Sequence, residues 1–316
     1  MSGPQAHTTS ADRVLISLNP KAGRTSVERD VERLVALLRE RGWRPQVETD
    51  LATVQRLANA WHGEKTLRAL VAVGGDGTVA ELVNRTTPGV PIAVFPTGTA
   101  NVLAKHFRLQ PNPERLAEIV QTGEVRRFDA GIAGGRTFLL MVGCGFDAEV
   151  VRQVHQRRLT EGGGHIGYLS YAKPILRAIR SYQYPEMRLY WEGLKPDGST
   201  STGEMSVARW AFVCNFPRYG WGLPLAPQAD PSDGFLDLCT FDKGSLGSGL
   251  LLAAAAQFAM HPRLKGCALR RVRRVRIEAD QPTPYQLDGD AGGQLPLEIA
   301  LVADRWALLL PPAAGR

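Results

Sequence analysis

The sequence is short of several things, and each shortage excludes a class of protein. Its four cysteines, Cys144, Cys214, Cys239 and Cys267, are scattered and form no C-x-x-C pair. That argues against a disulfide framework or a zinc cluster and fits a reducing cytosol. His155 and His165 stand alone, without ligand spacing. The longest apolar run, Gly249 to Met260, falls well below the roughly 20 residues that span a bilayer. The first eleven residues are polar and carry no signal-peptide core. The expectation is a cytoplasmic protein, or one peripheral to a membrane. The P-loop signature G-x-x-x-x-G-K-[ST] is absent. Acidic residues are outnumbered, 31 to 38, giving a net charge of +7 and a pI of about 9.4. A basic balance suits polyanionic partners: nucleotides, nucleic acid or an anionic membrane surface.

What is present is an ordinary globular composition, 44% hydrophobic and 22% charged, in 316 residues. That length accommodates two domains. Its most informative stretch is Leu67 to Arg85. A short Val/Leu-rich run ends at Gly74-Gly75-Asp76-Gly77-Thr78, and apolar residues at helical spacing follow at Val79, Leu82 and Val83. Strand, glycine turn and helix start is the geometry of a phosphate site. Glycines let backbone N–H groups approach phosphate oxygens. Thr78 is placed to cap the helix or touch a phosphate. Asp76 is the odd member, because a bare carboxylate beside phosphates needs Mg²⁺, a proton or a hydroxyl to hold.

Around this stretch the chain alternates strand and helix up to about residue 124. Arg13–Leu18 reads as a strand, followed by a loop in which Gly23 permits a turn and Lys21 and Arg24 offer charge to a phosphate. Thr25-x-x-Glu28 resembles a capping box. A helix to Gly42, a strand ending at Thr49 and a helix over Leu51–Gly63 with Trp61 in the core come next. Val90–Phe95 is continuously apolar, as a parallel strand buried on both faces should be. A second glycine turn, Pro96 to Thr99, leads into a helix, and Gly98 and Thr99 offer further donors to a phosphate or ribose. Asn112-Pro113-Glu114 opens another helix. The pattern predicts a doubly wound parallel α/β domain over residues 12–124.

Beyond residue 125 strands dominate, which predicts a mostly antiparallel second domain over 125–304. Strands are expected at Val125–Ala133, Thr137–Gly143, Met187–Trp191, Val207–Cys214, Phe235–Phe241, Arg273–Ile277 and Leu297–Val302. Helical inserts are expected at Asp147–Leu159 and Gly167–Ser181. Gly249 to Met260 reads as a buried helix, because Ala253 to Ala256 fit tight packing; lining a lipid pocket is the other reading. Gly143-x-Gly145-x-x-Ala148 matches a dinucleotide fingerprint, yet no second strand ending in an acid follows, so a packing role is the better account. The arginine-rich run Arg270–Arg276 is either a membrane-facing patch or a charge-protected edge strand. Nothing accompanies it that marks nucleic-acid binding. The acid pair in Gln286-Leu287-Asp288-Gly289-Asp290 supplies what a kinase of a neutral hydroxyl needs, a carboxylate to accept the proton.

The GGDGT turn, with Asn19-Pro20-Lys21-Ala22-Gly23 before it and Pro96-Thr97-Gly98-Thr99-Ala100-Asn101 after it, resembles the diacylglycerol kinase catalytic-domain family. That family includes bacterial soluble lipid kinases, sphingosine kinases and ceramide kinases. It is distantly similar to NAD kinases and phosphofructokinases. The resemblance implies an α/β plus β architecture. The N-terminal domain would be NAD-kinase/phosphofructokinase-like, joined by a C-terminal strand over 305–316, and the C-terminal domain an antiparallel β-sandwich. It implies an ATP-dependent kinase of a lipid hydroxyl, with the nucleotide and Mg²⁺ in a cleft between the domains. The nucleotide would be held by Asn19, Lys21, Gly23, Thr49, Gly74, Gly75, Asp76, Gly77, Thr78, Glu81, Gly98, Thr99 and Asn101. Asp230, Asp233 and Phe235 occupy the family's structural Mg²⁺ segment. Asp288 matches the family's D-G-E motif directly, while Asp290 stands where the family has its presumed base, Glu. Asp290, assisted by Asp288 and with Asp76 at the phosphates, is the catalytic set implied. The partners implied are a lipid substrate, a membrane surface and a second copy in a homodimer, with no nucleic acid. A non-catalytic nucleotide-binding pseudokinase and an NAD kinase are the alternatives.

Overall fold

The computed structural model describes residues 11–18, 25–161, 182–194, 199–220 and 222–312. The loop carrying Asn19, Lys21, Gly23 and Arg24, and the helix expected over Gly167–Ser181, lie outside the described residues. So does the Thr25 side chain on which the capping box depends. The chain divides into two compact units, residues 1–127 with 306–316, and residues 128–305.

In the first unit β1 (Arg13–Leu18), β2 (Arg44–Glu48), β3 (Leu67–Gly74) and β4 (Pro91–Pro96) pair in parallel, in the order β2-β1-β3-β4. The final strand, β15 (Leu297–Leu310), adds its last residues beside β4 through Ala307 and Leu308. The helices α1 (Thr25–Glu40) and α5 (Pro113–Thr122) pack on one core with Val14, Ile16, Ala69, Val71 and Phe95. The alternate residues Leu15, Leu70, Ala72 and Ile92 are equally buried. Both faces of the sheet are therefore covered, which is why its strands read as unbroken apolar runs. On the other face lie α2 (Leu51–Gly63), capped by the Asp50 carboxylate, and α3 (Asp76–Arg85). Trp61 is buried, as expected of a core residue. The strand order reverses between β1 and β3, and at such a switch point ligands bind beyond the carboxyl ends of the strands. The GGDGT turn is the carboxyl end of β3.

The second unit is antiparallel. Its main path runs β14-β13-β7-β10-β11-β12-β15. These are β14 (Asp290–Gln294), β13 (Pro284–Leu287), β7 (Met141–Cys144), β10 (Trp210–Cys214), β11 (Leu236–Phe241), β12 (Cys267–Ala279) and the first part of β15. The long β12 also pairs β8 (Met187–Leu194), which pairs β9 (Thr200–Ala208). The sheet thus branches around one core containing Val142, Leu189, Trp191, Val213, Leu238, Val275 and Ile299. β5 (Glu124–Ala133) pairs β15 and the short β6 (Arg136–Phe138).

Several expectations are corrected. Thr137–Gly143 is not one strand but β6 and β7, parted at Leu139-Leu140. The apolar pattern from Leu297 to Leu310 is a single strand. β9, β13 and β14 were not anticipated. The arginine run is no edge strand: β12 pairs on several sides. Its arginines are engaged, Arg276 with Glu278 and Glu298, Arg271 with Asp233, and Arg270 over the Trp191 ring. The helix α7 (Leu246–Gln257) buries only Leu252 and Ala256 and exposes Leu246, Leu250 and Leu251. It is not the buried helix the sequence predicts.

One buried carboxylate ties much of the second unit together. Asp129, on β5, accepts hydrogen bonds from the N–H groups of Gly234 at 2.8 Å and Asp304 at 2.9 Å. Its own N–H donates to the Pro231 carbonyl, and its carbonyl accepts from the Asn215 side chain. Removing the carboxylate takes the acceptor from two part-buried main-chain donors. We expect Asp129→Ala to lower the unfolding free energy by about 3 kcal/mol. Urea denaturation should show a lower midpoint with an unchanged slope.

Candidate active site

The first unit supplies two glycine turns in backbone contact. Gly75 precedes α3, and a Cβ placed on Gly98 would fall 2.7 Å from the Gly75 Cα. The Thr97 N–H donates to the Gly74 carbonyl at 3.0 Å. A side chain at Gly98 could not be added without separating them. Gly74 is closed differently, since a Cβ there would overlap the Thr78 side chain. Thr78 therefore packs over the end of β3 and does not cap the helix, whose N-terminus has no side-chain cap. Gly77 and Thr99 are exposed at the tips of the two turns, where donors to a phosphate are needed. Thr49 is exposed just past β2.

Asp76 is the residue that joins the turns. Its carboxylate accepts from the N–H groups of Val102 at 2.8 Å and Leu103 at 2.9 Å, the start of the short helix α4 (Val102–His106). Burial pushes its carboxyl above the ordinary value, against the pull of those two amides. The sequence reading asks Asp76 for Mg²⁺, a proton or a hydroxyl; the structure answers with main-chain donors. Glu81, the other acid of α3, is paired with Arg85 one helical turn on. Both side chains are part-exposed on the helix surface. Asn101 adopts a left-handed φ of 46° and donates to the Gly98 carbonyl at 2.7 Å. Its Oδ1 is buried beside Gly75 and Gly98 and has no hydrogen-bond partner among the described residues. An orphaned acceptor at that point suits a donor brought by a nucleotide, whether a ribose hydroxyl or a water on phosphate-bound Mg²⁺.

The second unit supplies the acid pair. Asp288 and Gly289 both have positive φ, 51° and 89°, and connect β13 to β14 with Leu287 opposite Asp290. This is the two-residue Asp-Gly hairpin with the turn that suits strand twist. The two carboxylates do not point the same way. Asp288 turns back and accepts from the N–H groups of Leu139, Leu140 and Met141 at 2.7, 2.8 and 2.9 Å. Those three amides are the break between β6 and β7. Asp288 is thus held in place by main-chain donors, on the same hairpin as Asp290. Asp290, at the hairpin exit, keeps a side chain 46% exposed with Arg136 3.4 Å away.

The hairpin is braced from beneath. The fully buried Gln286 accepts from the Gly289 N–H at 2.8 Å and donates to Asp147 at 3.0 Å. The Tyr219 hydroxyl donates to the same carboxylate at 3.3 Å. Asp147 lies in the first turn of α6 (Phe146–Glu161). A Cβ on Gly143 would sit 2.5 Å from its Oδ2. Gly143 and Gly145, the latter at φ +103°, are the glycines of the apparent dinucleotide fingerprint. Their work is to admit this brace. Asp147, Gln286, Tyr219 and Arg136 were missed by sequence reasoning. The signal available was the Asp-Gly dipeptide between alternating residues, which marks a hairpin.

Burial pushes the Asp147 carboxyl up to about 6. Its ordinary value is about 4, so the folded state binds the proton more tightly than the unfolded chain. Stability contributed by the protonated form is full below about pH 4 and is lost as pH rises to about 6, on the order of 3 kcal/mol. Asp237, pushed up to about 6 by burial and by Asp233, acts in the same direction. Asp147→Asn should flatten its share of this dependence. The melting-temperature difference between variant and wild type should move in the variant's favour between pH 4 and pH 7.

The acid-rich segment Asp230–Phe235 is arranged unlike a metal loop. Asp233 accepts from the Phe235 N–H and pairs with Arg271 at 2.5 Å. Arg271 and Arg273 both lie over the Phe235 ring, 4.3 and 4.6 Å from its centroid. Asp230 accepts from the Ser232 N–H and hydroxyl. Two guanidiniums supply the positive charge here, and an Asp233 carboxylate already paired with Arg271 does not fit a ligand of a structural Mg²⁺. EDTA should leave the melting temperature unchanged, whereas Arg271→Ala should lower it.

With the geometry in place, comparison with known proteins is informative. The model for the diacylglycerol kinase catalytic domain matches residues 13–133, and that for the YegS C-terminal NAD kinase beta sandwich-like domain matches residues 140–310. A diacylglycerol kinase of Bacillus subtilis (strain 168) is 26% identical over 310 residues, covering 95% of this chain and 96% of the relative. A diacylglycerol kinase of Mycobacterium tuberculosis (strain ATCC 25618 / H37Rv) is 26% identical over 320 residues, covering 98% and 99%. Among solved structures, a diacylglycerol kinase from Bacillus anthracis str. Sterne superposes with a TM-score of 0.65 at 17% identity, covering 96% of this chain and 98% of that one. An NAD kinase from Archaeoglobus fulgidus in complex with ATP does so with 0.54 at 13% identity, covering 95% and 94%. These two likenesses speak to the fold, whereas the family models, which between them span both units, make this chain a member of the diacylglycerol kinase catalytic-domain family, an enzyme of the lipid kinase class.

Proposed function

We propose that the protein transfers the γ-phosphate of ATP to the hydroxyl of a diacylglycerol-like or sphingoid lipid at a membrane surface. The observation that carries this reading is the division of labour between its two C-terminal acids. Asp288 is fixed by three amides, so that Asp290 stands at the exit of a braced hairpin with an accessible carboxylate.

The roles follow from the geometry. The glycine turns at Gly74–Thr78 and Gly98–Thr99 present backbone donors to the phosphates, and Asp76 keeps the two turns in register. Asn101 offers its buried Oδ1 to a donor of the nucleotide. Mg²⁺ carried by the phosphates supplies charge neutralisation at the transferring group. Asp290 accepts the proton of the lipid hydroxyl as its oxygen bonds to the γ-phosphorus, and the bond from that phosphorus to the β-phosphate oxygen breaks to release ADP. Arg136 holds the Asp290 carboxylate in place. Asp is one methylene shorter than the Glu of the family motif, and the acceptor hydroxyl is reached directly or through one water.

Transfer of label from γ-labelled ATP to diacylglycerol in detergent micelles tests the reading. Asp290→Asn should lower kcat by about 10²–10⁴-fold with little change in the KM for ATP. Undiminished turnover in that variant would remove Asp290 as the base. Labelling of NAD in place of lipid would favour the NAD kinase alternative, to which the fold is also similar.

A further inference from the structure

Helix α7 is anchored firmly and yet turned outward. Ser245 and Ser248 form a reciprocal capping box at its start. The Trp210 indole N–H donates to the Lys243 carbonyl at 3.0 Å, just before the helix. At its other end the Met260 N–H donates to the Ala255 carbonyl, and the fully buried His261 ring meets the Leu225 carbonyl at 2.9 Å. Contact with the body of the unit runs along a narrow stripe. Gly249 lies against the Trp210 ring, where a Cβ would come within 2.5 Å, and Leu252 and Ala256 are buried.

Apart from Leu252, the large side chains of the helix lie off that stripe. Leu250 is 62% exposed, Leu251 52%, and just past the helix end Phe258 is 76% and Met260 49% exposed. Not one charged residue occurs between Leu246 and Met260. A surface helix ordinarily covers its outer face with charge. A contiguous exposed apolar patch of this kind marks an interaction surface.

The flanks identify the occupant. Lys243 precedes the helix and Arg263 and Lys265 follow it, all three exposed, with Asp242 as the only acid between residues 241 and 265. An apolar face bordered by cations fits the headgroup boundary of an anionic bilayer. A second copy packed about a two-fold axis would bring the same cations against each other. We propose that α7, with Phe258 and Met260, is the face by which the protein seats on an anionic lipid surface. Leu250, Leu251, Phe258 and Met260 enter the acyl boundary, and Lys243, Arg263 and Lys265 meet the headgroup phosphates. The choice of a bilayer over a protein partner rests in part on the lipid kinase reading.

The test is co-sedimentation of the full chain with vesicles containing no substrate hydroxyl lipid. One set is phosphatidylcholine alone, the other phosphatidylcholine and phosphatidylserine, which is anionic and has no free alcohol, in equal parts. Wild type should bind the mixed vesicles, and Leu250→Gln/Phe258→Gln should bind them about tenfold more weakly or less. Replacing Lys243, Arg263 and Lys265 with Gln should remove the preference for the anionic set. The melting temperature of both variants, and their turnover of diacylglycerol dispersed in detergent, should stay at wild-type values. Undiminished vesicle binding by the Leu250/Phe258 variant overturns the proposal. So does a dimer of the wild type that becomes a monomer in that variant while vesicle binding persists. Lipid turnover in detergent without docking through α7 would sink this inference and leave the kinase reading standing; docking without turnover would do the reverse.

Discussion

The structure depends on carboxylates held by main-chain amides. Asp76 takes two amides of α4, Asp288 takes three from the break between β6 and β7, and Asp129 takes those of Gly234 and Asp304. In each case an irregular piece of chain, which has no ladder to satisfy its N–H groups, is satisfied by one anion. A charge-assisted bond is roughly twice as strong as a neutral one, and an abandoned buried donor is expensive. These three acids therefore fix loops that would otherwise be free to choose among conformations. Their placement is not general. Asp76 serves the glycine turns, Asp288 the hairpin that bears Asp290, and Asp129 the acid-rich turn and the bend in β15.

Within the second unit this arrangement gives the two acids of one hairpin different surroundings. A carboxylate surrounded by amides is electrostatically quiet toward its neighbours and cannot move. Asp290, by contrast, meets only Arg136 among the contacts described, and it retains the exposure a proton acceptor requires. Rigidity comes from below, through Gly289, Gln286, Asp147 and Tyr219. The glycines at 143 and 145 make sense only in that context, since room for a buried carboxylate is what their missing side chains provide.

Much of the first unit was legible because its signals are local. A Val/Leu run, a glycine turn and a helical period lie within twenty residues, and the parallel sheet follows from repeating that unit. The hairpin at Asp288-Gly289 was equally local, yet its flanking strands are short and glycine-rich, and the turn was read as an acid pair first. Other features were out of reach. The partners of Asp288 lie 147 to 149 residues away, and Gln286 and Asp147 are 139 apart. Arg271 reaches Asp233 across 38 residues. The burial of α7 was misjudged because an alanine-rich apolar run has the same composition whether it is wrapped in a core or laid on a surface.

By itself the sequence determined the doubly wound sheet, the two glycine turns at its switch point and the antiparallel second half. Each of these follows from periodicity and turn chemistry, which act over a few residues. Only the tertiary structure decided which carboxylates are bound and which is available, that Arg271 pairs with Asp233, and that a charge-free helix faces outward. These outcomes depend on which amides, cations and apolar surfaces come within a few ångströms of a side chain, and residues far apart in the sequence supply them.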